Sequence, residues 1–222
     1  MARPKTVETC YACDEPATTK EHVPPKSFFP EAHRDNLITV PSCALHNNAN
    51  SLDVEYARNI ISTSHGVNGV GQRHFIDKAM RSFDRRPAMV QTTFPRIRPV
   101  MFRGRQVGVF EPDIDRINAV MSACVTALHF LETSEKEQRW EIVLPNMGFS
   151  SRNTSQEQID AWRQVLLHCS QLSWKSRPVN SPEVFRYSVA NLEGHRMYAM
   201  EFYAAFLVLG LTAVEVAMGQ SE

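Results

Sequence analysis

Thr9-Cys-Tyr-Ala-Cys13 and Asn36-Leu-Ile-Thr-Val-Pro-Ser-Cys-Ala-Leu-His-Asn47 are the stretches that decide how the front of this 222-residue chain folds. Each holds a pair of metal-type ligands at x2 spacing, Cys10 with Cys13 and Cys43 with His46. Zn²⁺ takes four thiolate or imidazole ligands in a tetrahedron, usually as two pairs on tight turns. The two pairs therefore predict one structural zinc site, and closing it pins one chain segment against another. The neighbours Glu21, His22, Asn36 and Asn47 then fall together, and such side chains could bind a second metal and activate water.

Working outward, Asn36 to Pro41 reads as a short strand, β-branched and bounded by Asp35 and proline. From Ala44 to Ile61 the apolar residues Leu45, Leu52, Tyr56 and Ile60 recur near helical spacing. Residues 64 to 71 look like a glycine-rich hinge. A helix is expected from Gln72 to about Asp84, with extended segments around Ala88 to Thr93 and Pro99 to Phe110. Ile114 to Leu131 has helical periodicity, Arg139 to Leu144 reads as a strand, and Ser155 to Leu172 as a further helix. The end reads as a hairpin, Val184 to Val189 turning at 192 to 195 into Arg196 to Leu211. Phe28, Phe29, Phe75 and Phe83 are expected in the core.

Composition narrows the class. A hydrophobic content of 43% suits a globular protein. The polar start, Met1-Ala-Arg-Pro-Lys, predicts no secretory signal. The apolar run Phe202 to Val214 is too short to span a bilayer, so no membrane partner is expected. Five cysteines, three in metal-type positions, predict a reducing, cytoplasmic setting rather than a disulfide framework. Cys124 and Cys169 read as plain buried thiols.

The charge is zero overall but uneven. Between Gly71 and Arg105 lie nine Lys or Arg against Asp77 and Asp84, which suits a polyanion. Arg73, Lys78, Arg81, Arg85 and Arg86 are the candidate phosphate contacts.

Taken together, Cys10-x2-Cys13, Glu21-His22-Val-Pro-Pro, Asn36 through Cys43, His46-Asn47 and the following Ser51 and Glu55-Tyr56 resemble the HNH endonuclease family. The resemblance covers about residues 8 to 62. It implies an α+β protein: a ββα-metal finger with zinc knuckle over 8–64, a hinge and basic segment over 65–105, and a mixed α+β extension over 106–222. Carried over by position, it implies that His22 is the general base and that Asn36 holds the hairpin loop and orients that base. Glu21 and Asn47 are implied as ligands of a catalytic Mg²⁺ or another divalent ion, and Cys10, Cys13, Cys43 and His46 as the structural zinc quartet. His46 could instead serve the catalytic ion, because many members carry a cysteine at its position and a histidine at that of Asn47.

The expected activity is hydrolysis of phosphodiesters in DNA, with RNA as an alternative substrate. A histidine titrating near 6.5 is suited to deprotonate water, and one carboxylate with one amide leaves most of a Mg²⁺ shell for water and phosphate. Two rival expectations stand beside it. One is a zinc-stabilised nucleic-acid-binding module that does not cut. The other is a nuclease subunit active only with a protein partner in a phage or defence system; a homodimer is also open.

Overall fold

The computed structural model describes residues 8–48, 51–137, 139–145, 155–192 and 194–212. The fold is mixed α+β. At the front, β1 (Thr19–His22) and β2 (Thr39–Ser42) form an antiparallel ribbon with His22 opposite Thr39 and Glu21 opposite Val40. β2 begins at Thr39, not at Asn36 as the sequence suggests. Asn36 adopts a left-handed φ of 48°, which ends the extended run, and the Ile38 carbonyl accepts from the Val23 amide at the ribbon's mouth. Pro41 has no N–H to donate and is tolerated because both strands are edges.

Two short-range helices follow, α1 (Ala44–Asn48) and α2 (Ser51–Thr63). α2 buries Tyr56, Ala57, Ile60 and Ile61. It is clamped to the long helix α6 (Ile114–Thr133): Arg116 donates to Asp53 at 2.6 Å and lies 4.3 Å over the Tyr56 ring, whose hydroxyl accepts from the Asp113 amide.

Within the 64–71 stretch, Val67 and Gly71 are buried while His65, Gly66 and Gly69 are exposed. Asn68 caps α3 (Gly69–His74) by accepting from Val70 and Gly71 amides, and its own amide donates to the Glu183 carbonyl. Gly71 is buried against Tyr203, so close that a Cβ would meet the ring at 2.7 Å. A π-helical turn (Phe75–Met80) and α4 (Arg81–Arg85) continue the helix expected there. Ala88–Thr93 is helical, α5, where an extended segment is expected; Pro87 takes a helical φ of −54° and starts it. β3 (Arg98–Phe102) and β4 (Arg105–Val109) then form a hairpin through Arg103 and Gly104, both at positive φ.

The remaining strands make one antiparallel sheet in the order β5-β9-β8-β7-β6. These are β5 (Trp140–Val143), β6 (Lys175–Ser176), β7 (Phe185–Leu192), β8 (His195–Phe202) and β9 (Phe206–Thr212). The stretch expected as one strand, Arg196 to Leu211, is broken at Tyr203 and Ala204, both at positive φ, so the end is a three-stranded meander. α6 packs on one face, near enough that a Cβ on Gly210 would meet Val125 at 2.6 Å. α7 (Gln156–Gln171) covers the other face through Cys169, which meets Ala190, Met197 and Leu209. One core cluster runs from Cys10 through Phe28 and Ile61 to Leu128 and Val208. Among the described residues no helix is long and apolar enough to cross a membrane.

Candidate metal centre and the adjoining pocket

The knuckle is tied to the ribbon by its backbone. Tyr11 donates its amide to the Pro41 carbonyl, Cys10 to Glu15, and Thr18 to Ser42. Lys136, just past α6, closes it from outside, donating to the Cys13 carbonyl at 2.6 Å and to Asp14 at 2.9 Å. The Cys43 carbonyl accepts from the Asn47 amide, which starts the helix that carries His46.

Cys10, Cys13, Cys43 and His46 converge so that their ligand atoms all lie within 4.8 Å of one another. His46 Nδ1 is 3.5 Å from Cys10 Sγ, 3.5 Å from Cys13 Sγ and 3.2 Å from Cys43 Sγ, and Cys13 Sγ is 3.9 Å from Cys43 Sγ. A tetrahedral zinc with its usual bond lengths separates sulfurs by about 3.8 Å and sulfur from nitrogen by about 3.6 Å. The set fits such an ion, and the cluster could hold a metal such as zinc. His46 points its Nδ1 into this cluster, so it stands with the cysteines.

Beside the cluster lies a pocket of about 380 Å³. Glu21 and His22 from the end of β1, Asn47 from α1 and Ser51 from the start of α2 line it. Val120, Cys124 and Ala127 of α6 form its apolar wall. Burial raises the Glu21 carboxyl, while the hydroxyls of Tyr11 and Ser42 pull it down. The Tyr11 hydroxyl donates to Glu21 Oε2 at 3.1 Å. Burial and then the Lys26 ammonium hold His22 below the ordinary 6.5, so its imidazole is neutral and basic at neutral pH. Burial beside the Glu21 charge pushes the Cys124 thiol up, which leaves it inert.

The loop after β1 that carries Lys26 and Ser27 is fixed by distant residues. His74 Nε2 donates to the Ser27 carbonyl at 2.9 Å, and the Tyr203 hydroxyl donates to the Phe28 carbonyl. Thus α3 and the last β-turn both hold the pocket's rim.

Not every candidate converges there. Asn36 is exposed in the turn before β2 and does not line the pocket; its carbonyl accepts from Asn180 at 2.8 Å. Arg73, Arg81 and Arg85 are exposed on α3 and α4. Lys78 lies 3.8 Å from Glu31, and Arg86 lies 3.3 Å from Glu55, so these two share their charge with acidic partners. Glu55 is thereby a strut between α2 and α4.

Tyr11, Lys26 and the α6 wall are parts of the site that sequence reasoning missed. Tyr11 sits inside the cysteine knuckle, but its reach to Glu21 depends on how the knuckle folds back on β1. Comparisons with protein-family models, with curated proteins and with solved structures find no match to this chain.

Proposed function

We propose that this chain is a metal-dependent endonuclease of the HNH type that hydrolyses phosphodiester bonds in DNA. The observation that carries the reading is the pocket in which Glu21, His22 and Asn47 meet, directly beside the Cys10/Cys13/Cys43/His46 cluster. A binding module needs neither a depressed histidine nor a half-buried carboxylate in one pocket. Titrating groups shifted by burial and a neighbouring charge in a concave site support a catalytic reading.

In this reading the Glu21 carboxylate and the Asn47 amide would hold a hard divalent ion such as Mg²⁺, which would supply positive charge beside the scissile phosphate. Two oxygen donors suit an ion that keeps several waters. His22 accepts a proton from the attacking water, which its neutral state permits. Lys26 offers a positive charge at the rim. Tyr11 holds the Glu21 carboxylate by its hydrogen bond. Asn36 acts at a distance, shaping the turn that leads into β2, whose Thr39 pairs with His22. The cysteine cluster, loaded with zinc, fixes the ribbon and the helix start against each other.

Plasmid nicking with Mg²⁺, Mn²⁺ or EDTA tests the reading, with His22→Ala alongside. Metal-dependent nicking that falls at least about 100-fold in the variant, with zinc content and circular dichroism unchanged, is expected. Full activity in His22→Ala overturns the assignment of the base. No nicking by the parent protein that still binds DNA replaces the reading with a non-cutting, zinc-stabilised module.

A further inference from the structure

The β3–β4 ribbon belongs to neither the core nor the pocket. All five residues of β3 are exposed, and Met101, Ile97, Phe102 and Val100 remain 68%, 53%, 44% and 37% accessible. An isolated two-stranded ribbon is marginal in water, and bare apolar strand edges invite aggregation. This one is anchored mainly at its base, with a single ring contact between His65 and Phe102 near its tip. At the base Ile97 lies under Gly108, and Phe110 packs 4.9 Å from Phe94 in a cluster with Phe83 and Phe75. Behind it lies a cleft of about 650 Å³ lined by Ile60 and Thr63 of α2 and by Val100 and Val107 of the ribbon.

Its charge is one-sided. No acidic residue occurs between Asp84 and Glu111, while Arg96, Arg98, Arg103 and Arg105 lie on or beside the ribbon. Among the described residues, no carboxylate lies within ion-pair distance of Arg98, Arg103 or Arg105, and Arg96 has only exposed Glu111 at 3.9 Å.

We infer that this ribbon is the element with which the protein grips the backbone of duplex DNA, an inference that rests on the nuclease reading for its choice of polyanion. Paired strands are of a size that a DNA groove admits, with arginines reaching phosphates on either side. The same four arginines repel a second copy of the ribbon, which disfavours edge-to-edge pairing. A single-strand binder would need a row of open aromatic faces. Phe102 is the one aromatic on the strands, and His65 and Arg103 pack against it.

The spacing is suitable. Ser51, at one end of α2, lines the pocket, while Ile60 and Thr63, at the other, line the cleft behind the ribbon. A helix of that length spans about 18 Å, roughly five base-pair steps of duplex.

The test is fluorescence anisotropy of a labelled duplex in EDTA, using the full chain with His22→Ala so that nothing is cut. Replacing Arg98, Arg103 and Arg105 by Ala should weaken binding roughly tenfold or more and flatten the slope of log K against log salt by about 2.7. The triple Lys variant should restore most of the slope, and zinc content should stay constant throughout. Unchanged affinity and slope in the Ala variant overturn the inference. So does a loss confined to Arg73, Arg81 and Arg85 replaced by Ala, which would move the grip to α3 and α4. A parent protein that dimerises through the ribbon and ignores DNA overturns it in favour of a self-interface. Ribbon-dependent binding by a parent protein that never cuts with Mg²⁺ or Mn²⁺ would keep the grip and remove the nuclease.

Discussion

The β1–β2 and β3–β4 ribbons are similar in size and opposite in treatment. Each is an isolated antiparallel pair of four or five residues per strand, too small to stand alone in water. The first is held at one end by a cysteine–histidine cluster, backed by α6 and the core, and turns its polar side chains into a pocket. The second is anchored mainly at its base, with one contact from His65 to Phe102 near the tip, and leaves arginines and apolar side chains exposed. If Glu21 and His22 carry the chemistry proposed above, they must be held within fractions of an ångström, which the constraints on the first ribbon would provide. The DNA grip proposed for the other ribbon would need reach and charge more than fixed positions, which is consistent with its being left bare.

The largest test of that contrast is Cys13→Ser. It should abolish stoichiometric zinc and cost on the order of 5 kcal/mol, because structural zinc binding is folding energy. Hydrogen exchange should accelerate across residues 9–46 and stay unchanged across 98–109. A zinc-loaded variant with an unaltered melting temperature would show that the first ribbon does not depend on its cluster.

Tyr11→Phe sharpens the comparison within the first ribbon. Losing the hydroxyl that donates to Glu21 should cost about 1–3 kcal/mol in urea unfolding while leaving zinc bound. A variant as stable as the parent would mean that water replaces the hydroxyl and that knuckle and carboxylate are not coupled.

A smaller effect comes from acid. Burial, chiefly, with the charges of Arg58, Lys78 and Arg34, holds His74 below 6.5 even though its bond to the Ser27 carbonyl opposes this. The unfolded chain therefore protonates first. The stability that neutral His74 contributes is complete above 6.5 and is lost as pH falls through the lower folded value, by about 1.4 kcal/mol per pH unit. His74→Gln should flatten the denaturation profile across that window, and an unchanged profile would show that the loop behind β1 is not tied this way. The smallest effect belongs to the bare ribbon, where Arg103→Ala should move the melting transition by no more than about 0.5 kcal/mol. A larger loss would mean that the ribbon is a structural element after all.

Much of the metal cluster was legible because ligand type and x2 spacing are local properties of chain geometry. Helix α6 was legible for a similar reason, since Ile117, Val120, Met121, Cys124 and Leu128 recur at helical period. The errors fell where local signals compete. Ala88 to Thr93 is β-rich in composition, yet Pro87 and packing of the neighbouring aromatics make it helical. The glycines at 66, 69 and 71 suggest freedom, but Gly71 is there because Tyr203 leaves no room for a Cβ. Tyr203 and Ala204 turn the chain at positive φ without a glycine or asparagine to announce it.

The sequence by itself picked out the four residues of the cluster that could hold a metal, the dyad Glu21-His22 beside them, the main helices and the α+β class, since each is written in residue type and short-range period. It also placed the basic middle of the chain. Only the tertiary structure decided which of those charges face a carboxylate among the described residues: Lys78 and Arg86 face Glu31 and Glu55, whereas Arg98, Arg103 and Arg105 lie on or at the turn of an exposed ribbon. It likewise decided that Tyr11 reaches Glu21 and that His74 and Tyr203 fix the loop beside His22. The reason is range: a hydrogen bond or an ion pair between segments depends on how the whole chain packs, and no local pattern encodes it.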